Sequence, residues 1–579
     1  MRDLKLPKKS EINTAIHSFS RKERRIFGVL LVVLFISTIL ILQNINKSFM
    51  VSVPTPGGEI REGIIGTPRF INPILAFSDA DQDMVSLIYS GLMRKGPEGV
   101  LLPDLAEKYE VSKNNLVYTF TLKEDLIFHD GRPLDADDVV FTISKVKDSV
   151  INSPKKSAWD GMAVEKVDDR TVKFTLKQPY ASFLDNTTLG IFPEHIWNNS
   201  PIELNLANVN PVGSGPYLVK SIGKKDSGVV NYYELERFED FVLSKPYIKT
   251  FYAYFYQNEK NLVQALKNQE VDQVSSISPK NAELLKKEGY RVESATLPRV
   301  FGLFLNYNQN QIFLNKTVVK AINDTIDKNR IIEEVLDGYG VAIDTPIPPS
   351  LIDHKKIGSG TAEASREEAL KKAEAALQKD GWKKNASGFL EKTTTVKGKK
   401  TATPLAFSIS TGNAPELVQA AELIREDLSK VGINVEIKTF EVGNLNQNVI
   451  RPRKYEALLF GQIINHESDL FAFWHSSQRR DPGLNVSMYT NAKVDKILED
   501  AFVTIDEKAR AKKYADFENE IKKDMPAVFL YSPNFIYVVS GNLDGLDMDN
   551  IISSSDRFGS VYLWFTEKDN VWKIFSRIN

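Results

Sequence analysis

Ile26 to Leu42 reads IFGVLLVVLFISTILIL, seventeen residues without a charge. As a helix this run is about 26 Å long, enough to cross the hydrocarbon core of a bilayer if its flanks help. Arg24 and Arg25 can snorkel at one end, and Gln43, Asn44 and Asn46 mark the other. A buried core helix fits poorly with the uniform apolarity and the basic flank. A cleaved signal peptide fits poorly as well, because the apolar run is long and no small-x-small site follows Leu42. The reading is an uncleaved transmembrane signal anchor over 26–42. Residues 1–25 carry eight Lys and Arg against Asp3, Glu11 and Glu23. That excess keeps 1–25 cytoplasmic and puts the bulk of the chain outside the cell membrane, as a single-pass protein. Residues 43–57, ending in Pro54-Thr55-Pro56-Gly57, show no period and are expected to be a short linker.

The whole chain has 579 residues, which allows two or three lobes with cores of their own. Its formal net charge of −1 gives no field for attracting nucleic acid, and no nucleic-acid partner is expected. There is no cysteine. Disulfides, zinc–thiolate sites, thiol nucleophiles and a lipid-accepting cysteine are all excluded at once.

Two periodicities organise the outer part. Val117 to Lys123 alternates strictly, with Tyr118, Phe120 and Leu122 on one face, and Val172 to Leu176 does the same; both are half-buried strands. Pro404 to Thr411 reads as a strand. Pro415 opens a helix through about Val431 with Leu417, Val418, Ala421, Leu423, Ile424 and Leu428 at helical spacing, and Gly432 stops it. Ile433 to Phe440 alternates again. Strand, helix and strand in this order predict a right-handed parallel crossover, whose sheet binds ligands at the carboxyl ends of its strands. Ser365 to Lys379, rich in Ala, Glu and Lys, is too short for a coiled coil and reads as a solvated helix.

Searches for catalytic chemistry return little. His17, His129, His195, His354, His466 and His475 form neither H-x-x-x-H nor H-E-x-x-H, and neither a G-x-S-x-G elbow nor a phosphate loop occurs. His129-Asp130-Gly131-Arg132 reads as a tight turn, and Gly213-Ser214-Gly215-Pro216-Tyr217 as a turn where the chain passes between lobes. Asp135 to Asp137 caps a helix beginning at Asp138. The chain is expected to bind and not to catalyse, without cofactor or metal.

Several of these segments also carry a resemblance. Pro103-Asp-Leu-Ala-Glu-Lys-Tyr109, the strand at 117–123, Phe128-His-Asp-Gly-Arg-Pro-Leu134 and Asp137-Asp-Val-Val-Phe141 resemble the peptide/nickel-type (family 5) solute-binding proteins of ABC transporters, which include oligopeptide- and dipeptide-binding proteins. Asn72-Pro73, Tyr89 to Leu92, Gly213 to Tyr217, Thr345 to Pro348, Gly381-Trp382 and Tyr489 to Asn491 match as well. The resemblance runs from about Gly57 onward. It implies an α/β fold: a two-lobed periplasmic-binding-protein-like clamp of type II with an extra domain, here preceded by one N-terminal transmembrane helix. The implied parts are lobe I at 58–95, 208–297 and 535–579, the extra domain at 96–207, and lobe II at 298–534.

The resemblance further implies a peptide or small-molecule ligand, ABC permease and ATPase subunits as partners, and a monomeric, periplasmic or cell-surface receptor tethered by its helix. Family members often hold a peptide's α-amino group with an Asp in the loop corresponding to Gly461–Trp474. That position falls at Ile464, Asn465 or His466, none of them a carboxylate. Candidate ligand-binding residues are therefore Asn465, His466, Glu467 and Asp469, although Asp469 is also placed to cap the helix after it. Three roles stand side by side: import of peptides or similar extended solutes; a sensor or a receptor for nickel chelates, opines or sugars on the same clamp; and an anchored hydrolase, which the missing nucleophile disfavours.

Overall fold

The computed structural model describes residues 9–96, 99–351, 363–396, 399–549 and 551–576; the first eight residues of the expected cytoplasmic segment lie outside them. The chain divides into two units, one of 1–57 with 565–579 and one of 58–564.

In the smaller unit, a helix Arg21–Phe49 holds the apolar run and has no buried residue. It is the one described helix long and apolar enough to cross a membrane. A capping box starts it: Ser20 Oγ accepts the Glu23 N–H at 3.3 Å, and the Ser20 N–H donates to Glu23 Oε2 at 2.8 Å. The stretch 43–57, expected as a short linker, carries regular structure. The helix continues to Phe49, and Met50–Pro54 is a strand. It pairs antiparallel with Lys568–Trp572, in a register running from Met50 opposite Trp572 to Pro54 opposite Lys568. Its partner lies more than five hundred positions away, so no local period announces the strand. Residues 565–579 accordingly group with this helix and not with the lobe in which they were expected.

The larger unit is built on a mixed sheet of twelve strands. Glu59–Ile65 runs parallel to Thr250–Tyr256, followed outward by Val230–Arg237 and Tyr217–Lys224. At the other side Ala406–Gly412 runs parallel to Asn434–Phe440 through the crossover helix Pro415–Lys430. This is the predicted unit. Ala420, Ala421, Leu423, Ile424 and Leu428 bury its inner face, and Gly432 adopts the left-handed φ of +83° that ends it.

One long strand, Ala527–Val539, is common to both halves. Its residues 527–533 pair with Arg299–Leu305 and Gly340–Ala342, whereas 534–539 pair with Arg291–Thr296. The partners change beside Pro533, which has no N–H to donate. Leu297 N–H donates to Pro533 O at 2.9 Å, and Thr296 Oγ1 hydrogen-bonds Asn534 Oδ1 at 3.2 Å.

The apolar cores follow the same division. One cluster unites Ile60, Met84 and Phe251 with Phe120, Phe174 and Trp197. Two others, around Leu303, Ile424 and Leu459 and around Phe304, Trp474 and Phe517, draw their buried residues from between Val300 and Tyr531. Each fully buried Leu or Phe contributes about 1.5–3 kcal/mol. A four-stranded antiparallel sheet, in the order Ala106–Val111, Val117–Leu122, Thr171–Leu176 and Met162–Asp168, lays Tyr118, Phe120 and Leu122 inward as the alternation predicts.

The His129–Arg132 segment is the predicted turn: the Gly131 N–H donates to Phe128 O at 2.9 Å, with Gly131 at φ +80°. His129 has a further role. Its Nδ1 accepts the Gly213 N–H at 3.3 Å, and its Nε2 lies 3.0 Å from Gly215 O. The ring therefore sits as the neutral tautomer with its proton on Nε2, and burial lowers its pKa to about 4. Gly215 N–H in turn donates to Ile88 O at 2.8 Å, and a Cβ at Gly215 would come within 2.6 Å of the Ile88 carbonyl carbon. The glycines of the 213–217 turn are required by this backbone-to-backbone approach.

Candidate functional site

A cleft of about 1130 Å³ opens within the larger unit. Several separated stretches of chain line it, residues 73–89 and those forming three of its sides among them. The loop 465–472 lies on one side, residues 155–162 and 176–190 on another, and Lys95 with Ile552 to Asp556 on a third.

The loop is shaped by its own backbone needs. Helix Asp469–Trp474 buries Leu470 and Trp474, and Asp469 Oδ2 accepts the His466 N–H at 3.0 Å. Asp469 thus ties the loop across the start of its helix. Burial raises its carboxyl pKa, opposed by that hydrogen bond and by the nearby His466. His466 Nδ1 is 3.9 Å from Asp185 Oδ1, so a protonated His466 would join the two walls as an ion pair. Of the four residues singled out in the sequence, Asn465, His466 and Asp469 line the cleft. Glu467 does not. Its carboxylate receives Arg510 Nε at 2.7 Å. Ile464 is fully buried in the apolar core.

The walls touch at one point beside the loop. Ser182 Oγ and Ser468 Oγ are hydrogen-bonded at 3.2 Å, and Tyr180 stacks on Phe502 with ring centroids 5.1 Å apart and planes 20° from parallel. The Ala181 N–H reaches Phe502 O at 3.4 Å. None of these contacts has a sequence signal, because each joins residues some three hundred positions apart.

A basic pair, also not apparent from sequence, lines the cleft, Lys95 on the third wall and Lys155 on the second. Lys95 Nζ lies 3.8 Å from Asp556 Oδ2. That oxygen is already committed, since it accepts the Ile552 and Ser553 N–H groups at 2.9 and 2.8 Å. The Lys155 ammonium stands exposed in the cleft but recessed among its walls. Desolvation and then the Lys95 cation lower its pKa. Two cations thus face one partly engaged carboxylate. Among the described residues, no group of three or more His, Cys, Asp or Glu is arranged to hold a metal ion.

Residues 100–481 match the family model described as "Bacterial extracellular solute-binding proteins, family 5 Middle". The chain is similar to the oligopeptide-binding protein AppA of Bacillus subtilis, 29% identical over 506 residues covering 85% of this chain and 89% of the relative. It is similar to the dipeptide-binding protein of Escherichia coli, 25% identical over 84% of this chain and 91% of the relative. Among solved structures, Bacillus subtilis AppA in complex with a nonapeptide superposes with a TM-score of 0.65 at 27% identity, covering 89% of this chain and 99% of that one.

Proposed function

The chain belongs to the bacterial extracellular solute-binding proteins of family 5, and from that premise we propose that it is the substrate-binding component of an ABC importer. It captures peptides or similarly extended solutes outside the membrane by lobe closure and delivers them to a permease coupled to an ATPase. It binds its cargo as a monomer and releases it unaltered. The helix Arg21–Phe49 anchors it as a single-pass protein with residues 1–25 in the cytoplasm.

The cleft carries this reading. At about 1130 Å³ it is larger than the ~300–1,000 Å³ usual for a small-molecule site. Its lining also carries both signs of charge: Lys95 and Lys155, and Asp469 and Asp185 with His466. A peptide with a free carboxylate and a free ammonium meets both. We assign ligand contact to Asn465, His466, Asp469 and Lys155; Glu467, paired with Arg510, supports the loop.

In this reading lobe I comprises 58–95, 208–297 and 535–564, the extra domain 96–207, and lobe II 298–534. The change of partners along Ala527–Val539 supports a hinge beside Pro533. Closure is then driven by the ligand's greater affinity for the closed state, which takes several kcal/mol to convert a mostly open population.

The test is recovery of bound cargo. Detergent-solubilised full chain is incubated with a peptide mixture, washed, and its retained ligands identified by mass spectrometry. Intact peptides are expected, and Lys155→Glu should shift the retained set toward peptides with amidated carboxyl ends. Shortened peptides would instead identify a hydrolase, a retained metal chelate or sugar the receptor alternative, and an empty protein would sink the proposal.

A further inference from the structure

Beside the paired strands Met50–Pro54 and Lys568–Trp572 lies a largely exposed apolar cluster. Trp572 is 46% exposed, Ile574 78% and Phe575 73%, and Phe49 at the helix end is 59% exposed. These residues are held as a group. Trp572 Nε1 donates to Asn46 Oδ1 at 2.7 Å, and the Lys573 N–H donates to Phe49 O at 2.9 Å. A turn then brings the Phe575 N–H to Trp572 O at 2.7 Å.

The position of this cluster along the helix identifies what covers it. Leu42 ends the apolar run, before Gln43 and Asn44. Asn46 stands one turn further, roughly 6 Å along the axis, and Phe49 about 10 Å. The headgroup zone of each leaflet occupies about the first 5–8 Å beyond the hydrocarbon core. Trp572, fixed to Asn46, thus falls at the depth where amphipathic indole rings are enriched in membrane proteins. Lys47 and Lys573 flank the cluster, cations suited to anionic headgroups.

We infer that this two-stranded ribbon is a membrane-interface foot, with Trp572, Ile574 and Phe575 seated among the lipid headgroups of the outer leaflet. The inference rests on the anchoring of helix Arg21–Phe49 proposed above. The residues that follow the larger unit are then bound to the bilayer beside the helix that precedes it, giving the receptor a two-stranded attachment.

The test uses the full chain reconstituted in phosphatidylcholine–phosphatidylglycerol vesicles whose acyl chains are brominated near the headgroup end. Trp159, Trp197, Trp382, Trp474 and Trp564 are buried, so headgroup-level quenching reports Trp572. A carbonate wash, which leaves only spanning proteins in the vesicles, reads the helix separately. The expected result is retention through the wash, together with a quenched fraction of on the order of one sixth of the emission, six tryptophans sharing it. That fraction should vanish in Trp572→Phe and shrink in the Ile574→Ser, Phe575→Ser double variant. Retention with equal quenching in wild type and Trp572→Phe would overturn the foot and leave the anchor standing. Loss in the wash would overturn both.

Discussion

Arg557 has no solvent exposure, and neither has Glu62. The guanidinium grips Asp83 with two bonds, 2.9 and 2.7 Å, and reaches Glu62 Oε1 at 3.0 Å. The far oxygen of Glu62 is 2.6 Å from the Tyr537 hydroxyl, which also contacts Gln273 Oε1. A tyrosine has one proton for these two acceptors. A protonated Glu62 resolves the conflict by donating to Tyr537, which then donates to Gln273. Burial pushes the Glu62 pKa up to about 7, against the pull of Arg557. A carboxyl whose pKa rises on folding stabilises fully below its unfolded value near 4.5, and that contribution is lost as pH climbs through 7. Glu62→Gln supplies the same donor without titrating, so its urea midpoint should vary less than wild type between pH 5 and 8. Arg557→Leu strands two buried carboxyls and should cost about 3–5 kcal/mol by urea unfolding.

His129 titrates the other way. Its pKa falls from 6.5 to about 4 on folding, so its contribution is intact above 6.5 and disappears as the solution is acidified through 4. Wild type should lose up to about 1.4 kcal/mol more per pH unit across that window than His129→Gln. The sequence displayed His129 as part of a turn. The grip on Gly213 and Gly215 was hidden because it spans more than eighty positions. Glu62, Asp83 and Arg557, scattered across the whole chain, formed no pattern at all.

Elements were legible where a period or a cap repeats locally. The crossover Ala406–Gly412, Pro415–Lys430 and Asn434–Phe440 follows from alternation, helical spacing and a stopping glycine. Helix Ala136–Lys147 begins two residues before the expected Asp138, and Asp135 alone is the N-cap. Its Oδ1 accepts the Asp137 N–H at 2.8 Å, while Asp138 returns a bond to the Asp135 N–H at 3.1 Å. Asp135→Ala should lower stability by about 1 kcal/mol, read as a shift in the denaturant midpoint at constant slope. An unchanged midpoint would mean that the backbone finds another acceptor. The strand Met50–Pro54 escaped prediction for the opposite reason: five residues ending in a proline become a strand only in the presence of a distant partner.

For the molecule as a whole, the family resemblance made the clamp and its extra domain legible, whereas the cleft lining was only partly so. The loop at 465–469 could be found from its place in the family pattern. Lys95, Lys155 and Asp556 could not, because a cleft assembled from many separate stretches leaves no spacing to read. The Tyr180–Phe502 stack is the contact that most directly resists parting of the walls. Phe502→Ala should speed ligand release several-fold, consistent with the roughly 0.5–1.5 kcal/mol of an aromatic pair, with a smaller effect on the rate of capture. Stopped-flow dissociation measures this; an unaltered off-rate would assign the stack to packing alone.

The strand Ala527–Val539 is the last of the sheet's twelve to leave the ribosome, yet it lies in the middle, between Arg299–Leu305 and Gln273–Ser275. Until it emerges, every earlier strand belongs to an incomplete half with open hydrogen-bonding edges, the surfaces most prone to sticking to other chains. A nascent chain stopped before residue 527 therefore holds two unfinished sheets, and a single late insertion completes both.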